Sequence, residues 1–542
     1  MRTSARRFDA VIVGGGHNGL TCAAYLAAAG LSVCVAERRA VVGGAAVTEE
    51  FHPGFRNSTA SYTVSLLDPH VMRDLRLAEH GLVVRERPIA NFLPLPEGYL
   101  KVGGGLAATQ AEVAKFSPRD AEALPAYYAM LDGVAQVLRG LLAATPPNFG
   151  AGTASDIAAV VDVVKAAKGF RALSLPERRD LLDLFTKSAG EILDAWFESA
   201  PIKAAFGFDA VVGNFASPYT LGSAYVLLHH VFGEVNGKRG QWGHAVGGMG
   251  AITQAMAVEC EARGVVIRTA APIARVLVKA GRAAGVELAD GEVIAATRVV
   301  ANVNPKLLFG ELVAPEHVPE DFRARIRKYR CGSGTFRMNV ALSALPSFVA
   351  LPGTKPMQHH MSGIIMAPSL AYMERAYFDA RTYGWSREPI VEMLIPSTVD
   401  DSLAPEGRHV ASLFCQHVHP DLPSVLPGRT WDDARDEVAD LMLSTVEKFA
   451  PGFRASVLAH RALSPLDLER EFGLTGGDIF HGALALDQLF SSRPILGHAD
   501  YRMPIKGLYL CGAGAHPGGG VTGIPGRNAA REIVKDARRR RH

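Results

Sequence analysis

Six residues near the start of the chain, Gly14-Gly15-Gly16-His17-Asn18-Gly19, carry the spacing GxGxxG directly after an apolar run and directly before an Ala-rich one. That context turns a common glycine pattern into a pyrophosphate site. Gly14 permits a tight turn, Gly16 lets the backbone approach an anion, and Gly19 lets the next helix pack on the strand. The helix start, where His17 and Asn18 fall, presents unpaired N–H groups to phosphate. Glu37 follows Gly19 by 18 residues. There, at the end of the next strand, a carboxylate accepts hydrogen bonds from both hydroxyls of an adenosine ribose and repels a 2′-phosphate. The pattern predicts FAD or NAD and disfavours NADP; the plainer alternative is a glycine-rich turn with a surface glutamate.

Two further glycine clusters are weaker. Gly103-Gly104-Gly105-Leu106-Ala107-Ala108 mimics a second fingerprint, but the turn signal Pro96-Glu97-Gly98 precedes it and no acidic strand end follows, so a hairpin is expected. Gly247-Gly248-Met249-Gly250 opens a helix over 251–263.

The elements that must hold these residues are a strand at 8–13, a helix at 19–29 stopped by Gly30, and a strand at 32–37, a βαβ opening. Helical spacing over 118–143, 155–173 and 175–197 predicts a separate helix-rich insertion. Strand-and-turn texture returns at 265–268, 274–278, 284–288 and 298–301, punctuated by Ala280-Gly281 and Asp290-Gly291. A helix is expected at 431–449. The chain closes with a strand at 507–511, a glycine-rich turn and a helix at 527–538. Strand, glycines and helix at both ends predict one domain built from both ends of the chain.

The 542 residues are 48% hydrophobic and 20% charged, with 57 Lys+Arg against 54 Asp+Glu and a net charge of +3. Neither disorder nor nucleic acid as a partner is indicated. The basic cluster 538–541 reads as a solvated tail, with an anionic membrane surface as the second reading. Six cysteines are scattered without a CxxC, several in apolar runs, which suggests buried thiols and neither a disulfide framework nor a metal site. With no export signal before the first strand and no long apolar window, the expected location is cytoplasmic, with peripheral membrane contact left open.

The run Arg38-Arg39-Ala40-Val41-Val42-Gly43-Gly44-Ala45-Ala46 resembles the extended fingerprint of flavoproteins that share a fold with glutathione reductase and the amine oxidases, whose ligand is FAD. The closing run from Gly507 to Gly526, with Gly512-Ala513-Gly514-Ala515-His516-Pro517-Gly518-Gly519-Gly520-Val521-Thr522-Gly523, is similar to the closing motif of the phytoene desaturase family. The stretch from Glu37 to Leu67, with Thr48-Glu49-Glu50 and Ala60-Ser61-Tyr62, resembles the branch called pyridine nucleotide-disulfide oxidoreductase domain-containing protein 2. The likeness covers nearly the whole chain. It implies an α/β fold: a Rossmann-like FAD-binding domain of the glutathione reductase/amine oxidase type, from 1–110, 240–335 and 490–542, interleaved with an α+β substrate domain. The latter takes 111–239, largely helical, and 336–489. The implied cofactor contacts are Gly14, Gly16, His17, Asn18, Gly19, Glu37, Arg38, Gly43, Gly44, Ala45 and Ala46, then Gly512, Ala513, Gly514, Gly520, Val521 and Gly523. Asn57-Ser58-Thr59-Ala60-Ser61-Tyr62 stands where carotenoid desaturases show Phe-Asp-x-Gly-Pro-Ser, which argues against a carotenoid substrate.

Flavin chemistry asks little of side chains: a hydride leaves a substrate carbon, the pocket aligns the partners, and a proton goes to a base or water. By residue type the catalytic candidates are Tyr62, Trp242, His244 and His516, with His229, His230, His359 and His360 behind them. His516 can line the flavin or fix its turn. The helices around Tyr127-Tyr128 and 160–164 can line an apolar channel or be plain core. The expected function is a FAD-dependent oxidoreductase that dehydrogenates or saturates C–C bonds of a small apolar, isoprenoid or lipid-like substrate; the residues leave the electron acceptor open, with oxygen and a quinone among the candidates. The alternatives are an amine oxidase-type enzyme, a redox-neutral polyene isomerase and a non-catalytic FAD-stabilised binding protein.

Overall fold

A computed structural model describes residues 7–148 and 168–539. The expected helix over 155–173 falls mostly outside them, as does the stripe 160–164. Two main sheets are built from β1 Ala10–Val13, β2 Val33–Ala36, β3 Asn91–Pro94, β4 Tyr99–Val102, β5 Val266–Arg268, β6 Val299–Ala301, β7 Thr335–Leu342, β8 Gly363–Met366, β9 Trp385–Leu394, β10 His409–Val418, β11 Val457–Leu463 and β12 Leu508–Leu510. The helices that cover or shape them include α1 His17–Ala28, α2 Pro118–Leu142, α3 Ala200–Val211, α4 Ser223–Val231, α5 Gly250–Ala262, α6 Trp431–Phe449 and α7 Ile524–Arg539.

The first sheet is parallel, in the order β5-β2-β1-β6-β12. Its inner strands are short and wholly buried, as a sheet covered on both faces requires. Val11 lies beside Val299, and Val299 beside Leu508, so both ends of the chain meet in one layer. The two terminal helices pack on each other without intervening side chains. A Cβ at Gly526 of α7 would fall 2.1 Å from the Asn18 carbonyl oxygen of α1, an approach open only to glycine.

The second sheet has seven strands in the order β11-β7-β10-β9-β8-β3-β4. Alternation sorts its side chains: Leu413 and Cys415 of β10 face α6, while Phe414 between them faces the α2–α4 layer. Residues 91–102 depart from the sequence reading, which placed 1–110 with the nucleotide half. They form the β3–β4 hairpin, and β3 joins this second sheet through a parallel pairing with β8. The single helix expected over 175–197 is two helices, Leu175–Thr186 and Ala189–Trp196. Ser188 and Glu191 form a capping box that starts the second afresh. Among the described residues no helix is long and apolar enough to cross a membrane.

Candidate functional site

The glycine turn leads from β1 into α1, whose N-cap is Gly16. No side chain caps the helix and no acidic residue occupies its first turn, so its N–H groups are free for an anion. Gly19 is fixed by packing: a Cβ there would lie 2.3 Å from the Gly14 carbonyl oxygen and 2.9 Å from Asn302 Nδ2. Glu37, at the end of β2, is buried, and its carboxylate accepts from the N–H of Gly15 (2.7 Å) and of Arg39 (2.9 Å). This leaves further lone pairs for hydroxyl donors. The doublet returns the chain to the fingerprint, where Gly43 N–H donates to the Gly15 carbonyl at 2.9 Å.

A cavity of about 410 Å³ runs from this end into the gap between the two sheets. Of the sequence-predicted cofactor residues, Gly14, Gly16, His17, Asn18, Glu37 and Arg38 line its first part, and Gly43, Gly44 and Ala45 the adjoining wall. From the far end of the chain, Ala513, Gly520 and Val521 line it too. Gly19, Ala46, Gly512, Gly514 and Gly523 do not reach it. They pack behind the wall, Gly512 against Asn302, Gly514 against Pro305 and Gly523 against Val71.

The catalytic candidates divide. Tyr62, Trp242 and His230 line the inner end of the cavity. His230 stacks on Trp242 with ring centroids 6.0 Å apart, and its Nδ1–H meets the Val226 carbonyl at 2.9 Å. Burial pushes it down to about 4, which keeps it neutral at pH 7. His244 and His516 lie outside the cavity, against the expectation that either could act on substrate. His244 Nε2 pairs with Asp400 at 2.8 Å, and the same carboxylate oxygen accepts from Gly247 N–H, a strut between the short strand Gly243–Ala245 with its following turn and the turn that Asp400 caps. His516 donates from Nε2 to the Leu141 carbonyl at 3.0 Å and packs edge-on against Phe490, so it fixes the turn. His359 and His360 stack on each other at 3.9 Å beside Phe348, away from the cavity. His229 stands behind Gly520, and a Cβ on that glycine would lie 3.4 Å from its Nε2. Tyr127 is core, packed against Trp196, Phe197 and Phe206.

Tyr62 is held from three sides. Its hydroxyl donates to Glu392 of β9 at 2.5 Å, the Arg337 guanidinium lies 4.5 Å above its ring, and Phe414 stacks 5.2 Å away. Arg337 is itself tied to Ala60 O, Leu413 O and Ser412 Oγ. Arg87 donates to the Thr63 hydroxyl. Burial pushes the Glu392 carboxyl up and the Tyr62 phenol well up, with Arg87 and Arg337 opposing both shifts.

Sequence reasoning missed Arg39, Asn302, Phe472, His481 and Glu392. Asn302 had a findable signal: it follows β6 as Gly14 follows the neighbouring β1, and its Nδ2 donates to the Gly14 carbonyl at 3.1 Å. Phe472 closes the helix Pro465–Phe472, whose periodicity marks the helix but not the cavity at its end, and His481 comes from an irregular stretch. Arg39 stacks over Phe472 at 4.8 Å, pairs with Glu49, and keeps Nη1 without a partner among the described residues. His17 Nε2 and His481 Nδ1 are likewise buried and unpartnered beside the cavity.

A cavity lined from both ends of the chain, an uncapped helix start, a ribose-type carboxylate and orphaned polar atoms along one wall fit the polar groups of a dinucleotide such as FAD. Comparison with known proteins agrees. The profile described as flavin containing amine oxidoreductase matches residues 19–336. Pyridine nucleotide-disulfide oxidoreductase domain-containing protein 2 of Rattus norvegicus is 42% identical over 98% of this chain and 94% of its own length. A limonene dehydrogenase subunit of Castellaniella defragrans is 25% identical over 98% and 96%. The solved structure of putrescine oxidase bound to putrescine superposes with a TM-score of 0.60 at 16% identity, covering 98% of this chain and 99% of that one, a likeness of fold. A flavin-family profile over more than half of the sequence, together with a relative similar along nearly all of it, places this chain in the flavin-containing amine oxidoreductase family, with FAD as its cofactor.

Proposed function

We propose that the protein is a FAD-dependent oxidoreductase acting on a carbon–carbon bond of a small apolar, isoprenoid- or lipid-like substrate. The observation that carries this reading is the distribution of charge along the cavity. Its lining carboxylates, Glu37 and Glu311, stand at the nucleotide end. The inner end is walled by Tyr62, Leu66, Val212, Trp242, Phe414 and Ile479. Such a surface gains by covering hydrocarbon, and the carboxylate behind it, Glu392, is engaged by the Tyr62 hydroxyl and faced by Arg87 and Arg337, so no lining carboxylate at this end is open to an ammonium group. The likeness to the limonene dehydrogenase subunit supports the same direction.

FAD supplies a hydride acceptor when bound. The chain supplies the rest. Gly14, Gly16 and the start of α1 hold the pyrophosphate, and Glu37 holds the ribose. The aromatic and aliphatic inner wall orients substrate and excludes water. Tyr62, with its proton engaged by Glu392, gives that wall a fixed polar point. Neutral His230 adds no charge there.

The test is anaerobic mixing of the FAD-loaded protein with isoprenoid, lipid and amine pools, following the flavin absorbance and then the mass of whatever changes. Bleaching by an apolar compound that loses two hydrogens, or reoxidation by one that gains two, is the expected result. Bleaching by amines alone, with hydrogen peroxide released on admitting air, overturns the reading in favour of C–N oxidation.

A further inference from the structure

Arg493 is fully buried, and its guanidinium donates only to main-chain carbonyls: Ala513 (2.8 and 3.1 Å), Phe480 (2.8 Å), Gln488 (3.1 Å), and Gly482 and Ala483 (3.3 Å each). It forms no ion pair with a described residue. Phe480 and Ala513 line the cavity, so the cation sits one residue behind the wall, next to the glycines that close it. A Cβ on Gly518 would lie 3.6 Å from its Cζ. Carbonyl dipoles solvate a buried charge without cancelling it.

None of the described groups around it forms an ion pair with it. Asp478 spends its oxygens on the main chain, accepting from the N–H of Gly332 and of Phe480, both at 2.8 Å; burial pushes its carboxyl up, and those N–H groups and the Arg493 charge oppose the shift. Burial pushes His229, His481 and His516 down, to about 3, 4 and 4, so they are uncharged at pH 7. Tyr225, Tyr329 and Cys331 are pushed up and keep their protons.

We propose that Arg493 is an electrostatic positioning residue of the cofactor site, its charge acting through the Phe480–Ala513 wall to favour FAD reduced as an anion. A hydride brings two electrons and one proton to the oxidised ring system, which leaves one negative charge until a second proton follows. A fixed cation in a dry wall lowers the cost of that charge and removes the need for the second proton. The proposal rests on FAD as cofactor and is independent of the substrate.

The test uses the FAD-loaded protein, reduced stepwise with a redox dye, and sulfite as a probe that adds to oxidised flavin and leaves it negatively charged. In the wild type the midpoint potential falls with pH along the one-proton, two-electron slope even at mildly acidic pH. Sulfite affinity falls by about tenfold or more in Arg493→Met and is largely kept in Arg493→Lys. Gln488→Glu is the second variant, because the Gln488 amide and Arg493 Nη1 share the Ala483 carbonyl. A carboxylate there offsets the cation without removing it, and sulfite affinity falls in the same direction. A two-proton slope in the wild type overturns the proposal, as does unchanged sulfite affinity in Arg493→Met. If Arg493→Met does not retain FAD, unchanged affinity in Gln488→Glu overturns it.

Discussion

The hydroxyl of Tyr62 and the carboxylate of Glu392 are joined by a 2.5 Å hydrogen bond across 330 positions of sequence. One group follows the hairpin of residues 48–58, beside the nucleotide half, and the other stands on β9 of the second sheet, so this bond spans the two halves at the inner end of the cavity.

Removing the donor leaves a buried carboxylate short of a partner. Tyr62→Phe is expected to cost about 1–3 kcal/mol of stability. Glu392→Ala removes the carboxylate that Arg87 and Arg337 face and is expected to cost about 3–5 kcal/mol. Denaturant unfolding of the FAD-loaded proteins checks the order, and equal losses for the two variants contradict it.

Glu37→Gln replaces one acceptor oxygen by an amide NH₂ that faces the Gly15 or Arg39 N–H. FAD affinity is expected to weaken by about 10- to 100-fold, read by fluorescence titration of the apoprotein. An unchanged dissociation constant places the ribose elsewhere.

Gly19→Ala forces a Cβ into the Gly14 carbonyl, and neither backbone segment can retreat without opening the turn. The purified variant is expected to be colourless. Gly30→Ala makes the control, since nothing lies within 4 Å of a Cβ at that helix end and only its positive φ is strained.

Asp209 on α3 supplies a pH dependence. Burial, then the Glu392 charge, pushes its carboxyl up to about 8 from 3.8. Between those values the unfolded chain is ionised at this residue and the folded protein holds the proton, so the folded state binds more protons and stability falls as pH rises. Asp209→Asn mimics the protonated form. It is expected to flatten the fall in Tm from mildly acidic to mildly alkaline pH and to change little at about pH 3 and below, where both states are largely protonated. A parallel decline in the two proteins counts against the raised carboxyl.

The nucleotide half was legible because each of its parts obeys a local rule. Ala10–Val13, the glycines, α1 and Glu37 succeed one another within 30 residues, and their spacing alone dictates a pyrophosphate turn. The helix at Trp431–Phe449 was legible to the residue from its apolar stripe. Elsewhere the pattern was silent because partners are remote. Nothing around Asn91–Pro94 says that it pairs with a strand at 363–366, and nothing near Glu392 names Tyr62. His244 and His516 looked reactive by type, yet an Asp400 carboxylate and a Leu141 carbonyl, both distant in sequence, occupy their ring nitrogens.

The meeting of β12 and α7 with β1 and α1 has a consequence for biosynthesis. A ribosome that has delivered Gly14, Glu37 and Gly43 has made half of a binding site, and Ala513 to Val521 follow Gly43 only 470 residues later. A polypeptide lacking residues 513–526 therefore has neither the second wall of the cavity nor the glycine that lets α7 close on α1, however intact its first fingerprint is.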